Sequence, residues 1–430
     1  MAGPLRDAVE AIEDPNEYDS ADTSPNWAST LAAYDQQVYA AVRAEPSLAQ
    51  VPVIGPSLVN PGSYSTLGDH SRCLDYGNIH PYTAGAPSTA FIDNALATES
   101  LVAGTKPVMV TEFGYNNALN AQSGDPPVSD TAAAIYMLRT YLLNYMAGVP
   151  RSYVYELVDE KPDPGLTDQE EHFGLMNNDL TPKPAFTALE NLLAVIGSPS
   201  APASLTPLGL DLSSQATDIQ SLLLEDDATY YQLILWHDES VWDSQTHEDL
   251  AVPSVPVTVT APAVTTAAVA RPMTSSTTSP LAVSDGSFEV SVPADPVVVS
   301  LTLGSQNAAD PAGTDSGATN AAPSSSRTQP FLTQALARRW VRAALQHRFG
   351  RVFALRSHYE VSCERQATSR MLCKVAWRSG RRRYSGTVTI FYVATGPGAK
   401  WELRVLVGRV ASEAQQSQPR AGRAKATAVP

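Results

Sequence analysis

Apolar positions in residues 8–198 follow two patterns that alternate along the chain. Short, nearly continuous apolar runs are typical of strands buried on both faces, and apolar residues every three or four positions are typical of helices. This alternation predicts an α/β fold in which helices cover a parallel sheet. The predicted strands are 9–12, 51–55, 75–80, 107–113 and 152–158, and the predicted helices are 26–43, 90–103, 130–146 and 184–196.

The pattern changes after residue 198. Short strand-like runs separated by Thr, Ser, Val and Pro predict an all-β sandwich over residues 199–304. The small polar residues of 305–329 predict a flexible linker. The predicted strands of the sandwich are 221–224, 229–236, 255–260, 288–292 and 297–303.

Residues 330–412 combine one helical pattern with several strand-like runs, which predicts a small α+β domain. The residues that follow, 413–430, predict a disordered tail. The whole chain is therefore predicted to be multidomain, with a first domain over residues 1–198. In the α+β domain, the predicted elements are a basic amphipathic helix at 331–349 and strands at 358–362, 371–377, 384–393 and 400–407.

Charge separates the two parts of the chain sharply. The formal net charge of the 430 residues is -15, yet residues 1–326 hold 9 Lys/Arg and 40 Asp/Glu (-31) and residues 327–430 hold 20 and 4 (+16). An anionic polymer is one predicted partner of the basic domain, and a solvated surface without a ligand is the alternative. No recognised nucleic-acid motif accompanies the charge, so no nucleic acid is expected.

Composition also excludes several classes of protein. The sequence contains no apolar run of 18 residues, so no membrane-spanning helix is predicted. Three cysteines are too few for a zinc cluster, and scattered Met, His and Cys indicate neither a metal nor a cofactor.

Two of the cysteines fall near facing ends of neighbouring predicted strands. A hairpin of 358–362 and 371–377 would bring Cys363 and Cys373 together, so a disulfide is one interpretation and two buried thiols are the other. A disulfide is typical of an oxidising compartment. The first residues do not have the pattern of a signal peptide. We therefore expect an extracellular or cell-envelope protein whose signal peptide belongs to a missing N-terminal part.

Polar side chains cluster where the predicted strands end, which is the edge at which α/β folds build their sites. Two carboxylates stand out: Glu17 follows Asn16 in DPNEYD, and Glu112 lies in VTEFGY. Glycoside hydrolysis requires such a pair, because one carboxyl protonates the leaving oxygen while the other attacks the anomeric carbon. The structural alternatives are a carboxylate at a helix N-terminus for Glu17 and a buried, hydrogen-bonded acid for Glu112.

Five segments of residues 8–198 match, in order, the strand motifs of a known enzyme clan. IEDPNEYD resembles I-E-G-P-N-E-x-D after the fourth barrel strand of glycoside hydrolase clan A, and VTEFGY resembles its seventh strand. VPVIGPS, DYGNIHPY and SYVYELVDE resemble strands five, six and eight. The chain is most similar to families 5 and 39 of that clan. The resemblance implies a partial (β/α)8 barrel, or TIM barrel, made of strands 4–8.

The resemblance also implies a role for each matching residue. Glu17 would be the general acid/base and Glu112 the nucleophile of a retaining hydrolase that acts on O-glycosidic bonds of a poly- or oligosaccharide. Asn16 would bind the sugar 2-hydroxyl. His80 and Tyr82 would orient the nucleophile and line the subsite nearest the scissile bond. The predicted substrate-binding residues are Asn16, His80, Tyr82, Tyr115 and Glu156.

Two departures from the family pattern lead to further expectations. Asp14 stands where the motif has Gly, which places an extra carboxylate near the predicted acid/base. Strands 1–3 of the barrel have no counterpart, so we expect an N-terminally truncated enzyme, and the alternative is a non-catalytic remnant that binds carbohydrate or cell envelope. Trp236 and Trp242 are predicted to lie in the sandwich core, with sugar stacking as the alternative.

Overall fold

The computed structural model describes residues 8–83, 89–197, 208–304, 334–349, 353, 356–367, 370–380, 382–393 and 400–409. The chain divides into two compact units, Met1–Pro311 and Ala312–Pro430. The predicted linker at 305–329 and the predicted tail at 413–430 lie outside the described residues. Within the described residues, every helix is too short or too polar to cross a membrane.

The first part of the first unit alternates strands and helices, as its apolar pattern predicts. The strands are shorter than the apolar runs, and each pairs in parallel with the next one along the chain. The strands are β1 (Ile12–Glu13), β2 (Val53–Ile54), β3 (Gly77–Ile79) and β4 (Val108–Val110), and the helices are α1 (Tyr18–Ala21), α2 (Trp27–Ala44), α3 (Pro61–Leu67), α4 (Thr89–Ala103), α5 (Asp130–Met146) and α6 (Pro184–Ile196).

Isolated parallel bridges complete this series within its middle and extend it beyond β4. Ile54 bridges to Tyr76, which joins β2 to β3, and Val110 bridges to Ser152 beyond β4. The predicted fifth strand is thus an irregular segment that still bonds to its neighbour: the Tyr153 N–H donates to the Val110 carbonyl at 2.9 Å. All of these strand ends therefore meet at one edge of the sheet.

A glycine in β3 explains how closely a helix approaches the sheet. A Cβ atom at Gly77 would lie 2.6 Å from the Cβ of Ala103 and 2.5 Å from a carboxylate oxygen of Glu99, both on α4. Only glycine leaves room for that helix, whose buried Glu99 then accepts a hydrogen bond from the Asn78 N–H at 3.1 Å.

The second part of the first unit consists of two antiparallel sheets that share a core. One sheet has the order β13-β10-β5, the other has the order β12-β11-β14-β7-β6, and β8 pairs with β9. The strands are β5 (Asp211–Ser213), β6 (Ile219–Asp227), β7 (Tyr230–His237), β8 (Trp242–Asp243), β9 (Glu248–Asp249), β10 (Val255–Thr260), β11 (Val264–Arg271), β12 (Ser275–Leu281), β13 (Ser287–Val292) and β14 (Val297–Leu303).

The core between these sheets is built from buried apolar residues, which alternate with exposed ones along β10 but run continuously through Val297, Val298 and Val299 of β14. Val257 and Val259 of β10 and Val297 and Val299 of β14 are fully buried, and the residues between those of β10 are exposed. This is the sandwich that the sequence predicts for its third quarter. The prediction missed β11 and β12, because their Ala, Thr and Ser residues give almost no apolar alternation.

Both tryptophans of the sandwich region lie in the protein interior. Trp236 is 0% and Trp242 is 4% exposed, and both belong to the same hydrophobic cluster as α5 and α6. The core interpretation of these two residues therefore holds, and sugar stacking on them is wrong. The shared cluster also joins the sandwich to the α/β part within one unit.

The second unit packs one helix on an antiparallel sheet of four strands in the order β15-β16-β17-β18. Cys363 lies directly opposite Cys373 in the first hairpin, and their Sγ atoms are bonded at 2.06 Å. The other cysteine, Cys73, is free. The elements are α7 (Gln334–Phe349), β15 (Ser357–Ala367), β16 (Arg370–Ser379), β17 (Arg382–Val393) and β18 (Lys400–Arg409).

Candidate active site

Glu17, the first of the two predicted catalytic carboxylates, lies in the segment that follows β1. Its backbone has φ 45° and ψ 43°, a left-handed conformation that is uncommon for a residue with a side chain. The Glu17 N–H donates to Ser57 Oγ at 3.2 Å, which helps to hold this turn. The Glu17 side chain makes no capping hydrogen bond to α1, so its carboxylate is left to face the strand ends.

His80 connects the two predicted catalytic carboxylates. Its ring is only 3% exposed, and its Nδ1 atom lies 2.9 Å from Glu17 Oε1 and 3.5 Å from Glu112 Oε2. On the other side of the ring, Nε2 lies 2.9 Å from Thr111 Oγ1. The buried imidazole therefore holds both acids in place from within the protein.

Tyr82 holds the second carboxylate. Its hydroxyl donates to Glu112 Oε2 at 3.0 Å, and its ring packs edge-on against Phe173 with centroids 5.7 Å apart. Burial, followed by the charge of Glu112, raises the pKa of the Tyr82 hydroxyl above its usual value, so the hydroxyl remains a donor at neutral pH.

A second row of polar side chains lies behind His80 and the two carboxylates. Thr111 Oγ1 lies 2.9 Å from Glu13 Oε1 and 2.8 Å from Asn78 Oδ1, and Asn78 Nδ2 donates to Glu13 Oε1 at 2.7 Å. Sequence reasoning missed Glu13, Asn78 and Thr111 as site residues. The available signal was their polarity within strands that are otherwise apolar.

The remaining predicted residues have different surroundings. Asn16 is exposed beside Glu17. Tyr115 is 5% exposed and its hydroxyl lies 2.7 Å from Thr140 Oγ1 on α5, so the ring is part of the core and does not line a pocket. The prediction that Tyr115 binds substrate is therefore corrected, because its side chain is part of the core against α5.

Glu156 lies in an acidic neighbourhood. Partial burial, together with Glu160, Asp159 and other nearby acids, raises the pKa of Glu156 from 4.5 to about 7. Burial also raises the pKa of the neighbouring Tyr155 hydroxyl to about 12, with Glu156 as the next cause and Glu112 among the others. This segment approaches the site closely, since a Cβ atom at Gly114 would lie 2.1 Å from the Tyr155 carbonyl oxygen.

Asp14 turns away from the site. It is 4% exposed, and neither of its carboxylate oxygens has a hydrogen-bond partner among the described residues. Burial, followed by the charges of Asp35 and Glu13, raises the pKa of Asp14 from 3.8 to about 8. At neutral pH this carboxyl is therefore mostly protonated.

Two groups of described residues bring metal-binding atoms within 4.8 Å of one another: Glu17 with His80 and Glu112, and Asp218 with His237 and Glu239. In the first group, Glu17 Oε1 and Glu112 Oε2 each lie within hydrogen-bond distance of a protein atom, His80 Nδ1 and the Tyr82 hydroxyl respectively. Glu239 of the second group is exposed. We assign none of these residues as metal ligands.

Solved structures that are similar to this chain are glycosidases. A family 39 glycoside hydrolase from the gut symbiont Bacteroides cellulosilyticus WH2 is 19% identical, with a TM-score of 0.42 over 70% of this chain and 60% of that one. A glucosidase from Croceicoccus marinus is 9% identical, with a TM-score of 0.37 over 65% of each chain. A family 17 beta-1,3-glucanosyltransferase from Rhizomucor miehei is 18% identical, with a TM-score of 0.32 over 41% and 62%.

These similarities are partial. The chain spans about 60% of the length of the family 39 hydrolase and of the glucanosyltransferase. No family model matches the chain, and no curated protein matches it. Family 39 is one of the two families that the sequence motifs resemble.

Proposed function

We propose that this chain is a retaining glycoside hydrolase with Glu112 as nucleophile and Glu17 as general acid/base. The observation that carries the proposal is the spacing of the two carboxylates, because an oxygen of Glu17 lies within 4.8 Å of an oxygen of Glu112. Retaining enzymes hold their two carboxyl groups about 5–5.5 Å apart, whereas inverting enzymes leave about 6.5–9.5 Å for a water molecule. The short spacing favours double displacement.

The proposed reaction has two steps. Glu17 donates its proton to the glycosidic oxygen while the Glu112 carboxylate attacks the anomeric carbon, which releases the leaving group as an alcohol and forms a glycosyl ester. Glu17 then takes a proton from water as the water attacks that ester. Tyr82 orients the Glu112 carboxylate, and the exposed amide of Asn16 is available to the sugar 2-hydroxyl.

We further propose that the parallel series from β1 to the segment at Ser152 corresponds to strands 4–8 of a (β/α)8 barrel. Support comes from the chain-order pairing of the strands and from the position of Glu17, His80 and Glu112 just beyond strand ends. In such barrels catalytic residues follow the carboxyl ends of strands.

The proposed substrate is a poly- or oligosaccharide outside the cell or in the cell envelope. The Cys363–Cys373 disulfide supports an oxidising location. The basic second unit is proposed to bind an anionic polymer through exposed basic side chains, and this binding should weaken as salt is added. The exposed basic residues of that unit include Arg338, Arg348, Lys374, Arg378, Arg382 and Arg383.

The test of the catalytic proposal is hydrolysis of a panel of nitrophenyl glycosides by the whole chain and by Glu112→Gln. We expect the variant to lose activity by on the order of 10³-fold or more, because the covalent step has no nucleophile. The exposed Glu190→Gln is the matched control and should retain activity. Hydrolysis that survives Glu112→Gln would sink the proposal, and polysaccharide binding without turnover in either chain would favour a non-catalytic binding protein.

A further inference from the structure

The two ring nitrogens of His80 face different oxygen atoms at the same distance. Nε2 lies 2.9 Å from Thr111 Oγ1, and Nδ1 lies 2.9 Å from Glu17 Oε1. Because the side chain is only 3% exposed, both nitrogens have to be satisfied by these protein partners. The proton positions on His80 therefore depend on what each oxygen can donate or accept.

The surroundings of Thr111 determine whether His80 Nε2 carries a proton. Its hydroxyl has a single proton but lies close to two atoms that only accept, Asn78 Oδ1 at 2.8 Å and Glu13 Oε1 at 2.9 Å. The amide orientation of Asn78 is fixed, because its Nδ2 donates to Glu13 Oε1 at 2.7 Å. The Thr111 proton goes to one of the two acceptors, so His80 Nε2 has to carry a proton and donate it to Thr111.

This arrangement has a consequence on the opposite side of the ring. A neutral His80 with a proton on Nε2 presents the Nδ1 lone pair to Glu17 Oε1. An ionised Glu17 would then place two acceptors against each other at 2.9 Å. One proton must therefore lie between the two atoms, either as a carboxylic acid facing a neutral ring or as a carboxylate facing an imidazolium.

We propose that Thr111, held by Glu13 and Asn78, is a positioning residue that fixes the Nε2-protonated form of His80 and so keeps a proton between His80 Nδ1 and Glu17. The use of this proton in catalysis rests on the proposed function, whereas its position does not. In the first step the proton passes to the glycosidic oxygen and leaves with the alcohol. In the second step a proton from the attacking water restores it.

Other titratable groups also lie near His80 and Glu17. Glu112 Oε2 lies 3.5 Å from His80 Nδ1, and Glu13 Oε1 lies 3.9 Å from His80 Nε2. Tyr82 donates to Glu112, and burial followed by the charge of Glu17 raises the pKa of Asp125. The titratable groups that face the pair are Glu13, Tyr82, Glu112 and Asp125.

The direct test is nitrogen NMR on the full chain with ¹⁵N-labelled histidine, where the signals of His80 are identified by their loss in His80→Gln. We expect the neutral ring to carry its proton on Nε2. Thr111→Val should move the ring toward the form protonated on Nδ1, Thr111→Ser should restore the original pattern, and the exposed Thr66→Val should change nothing. A native neutral ring that carries its proton on Nδ1 and none on Nε2 would overturn the proposal even without any variant.

The second test is the pH dependence of kcat/KM on a nitrophenyl glycoside that the chain hydrolyses. In Thr111→Val, a ring protonated on Nδ1 can donate to an ionised Glu17, so the basic limb should move to lower pH by about one unit. The decrease in kcat/KM caused by Thr111→Val should be smaller for a dinitrophenyl glycoside, because its leaving group needs less acid assistance. An unmoved limb in a folded variant overturns the proposal. If no glycoside is hydrolysed, the proposed function fails and the NMR result still decides the position of the proton.

Discussion

Two groups of acidic side chains in the first unit have opposite surroundings, although one member of each group is adjacent to the other in the sequence. The site acids have side chains 26–35% exposed and each has a hydrogen-bond partner. The buried acids are at most 4% exposed, and each has at least one oxygen without a partner among the described residues. The site acids are Glu13, Glu17 and Glu112. The buried acids are Asp14, Asp35 and Glu99.

The contrast is sharpest at Glu13 and Asp14, which are adjacent. Extended backbone points successive side chains to opposite faces, so Glu13 joins the site while Asp14 enters the space beneath it. Burial raises the pKa of Asp14, Asp35 and Glu99. The site acids are partly exposed and hydrogen-bonded, which suits ionic chemistry. Burial favours the neutral carboxyl for Asp14 and Glu99, whereas Asp35 is paired with His70 at 3.0 Å.

The largest expected effect comes from removing the acid that donates the proton. Glu17→Ala should lower kcat by on the order of 10²–10⁴-fold, because general acid catalysis is lost. Azide should partly restore the rate, since it enters the space left by the side chain and attacks the glycosyl ester without needing a base. Product analysis for a glycosyl azide checks this, and a rate that azide leaves untouched would argue against the assigned role.

Removing the donor of the other catalytic acid should have the next largest effect. Tyr82→Phe keeps the ring but takes away the hydrogen bond to Glu112 Oε2, which is 3.0 Å long. Hydrogen bonds to charged groups contribute about 1.5–3 kcal/mol, so kcat should fall about 10–100-fold. Steady-state kinetics measure it, with Tyr145→Phe as the exposed control. Equal losses in both variants would show that the contact does not matter.

Replacing the buried Asp14 carboxyl by an amide should affect the free energy of unfolding and not the activity. The pKa of Asp14 is raised from 3.8 to about 8, so the folded chain retains a proton that the unfolded chain releases. Stability is therefore lost as the pH rises from 3.8 toward 8. Asp14→Asn should raise the free energy of unfolding at pH 8 by about 5 kcal/mol and change it little at pH 4.

Urea unfolding at the two pH values measures this difference. The exposed Glu190→Gln is the matched control, and its stability should not depend on pH in this way. A destabilised Asp14→Asn at pH 8 would mean that Asp14 is ionised and partnered in the folded chain, which would erase the distinction between the two groups of acids.

The smallest effect is expected at Glu99. Burial raises its pKa well above the usual value, so the carboxyl is neutral, and its Oε1 accepts from the Asn78 N–H at 3.1 Å. Gln has the same shape and the same acceptor, so Glu99→Gln should change the free energy of unfolding by less than about 1 kcal/mol. A thermal melt checks this, and a large loss would indicate that Glu99 is charged.

The sequence pointed to the two carboxylates and their nearest neighbours, but it did not point to the polar side chains behind them. His80 and Glu112 fall near the ends of predicted strands, and Glu17 and Tyr82 follow such ends. Strand ends in a parallel sheet meet at one edge. The contacts of Thr111 could not be predicted, because they depend on how three strands from distant parts of the chain are aligned.

The errors elsewhere have equally physical causes. The strands β11 and β12 were missed, because sheet pairing stabilises small and polar residues that have little intrinsic pattern. Tyr115 was assigned to the pocket from its place near Glu112. Its position two residues beyond the strand did not reveal that its hydroxyl bonds to Thr140 on a packed helix.

Arg139 limits how this chain can be divided into separately expressed domains. Its buried guanidinium, on α5, donates to the carbonyl oxygens of His237 and Glu239 at 2.9 and 2.8 Å, and its Nε donates to that of Ala294 at 2.9 Å. A sandwich expressed alone would lose these donors and expose Trp236. Domain exchange between such proteins should therefore transfer α5 with the sandwich, since the two are one module for engineering.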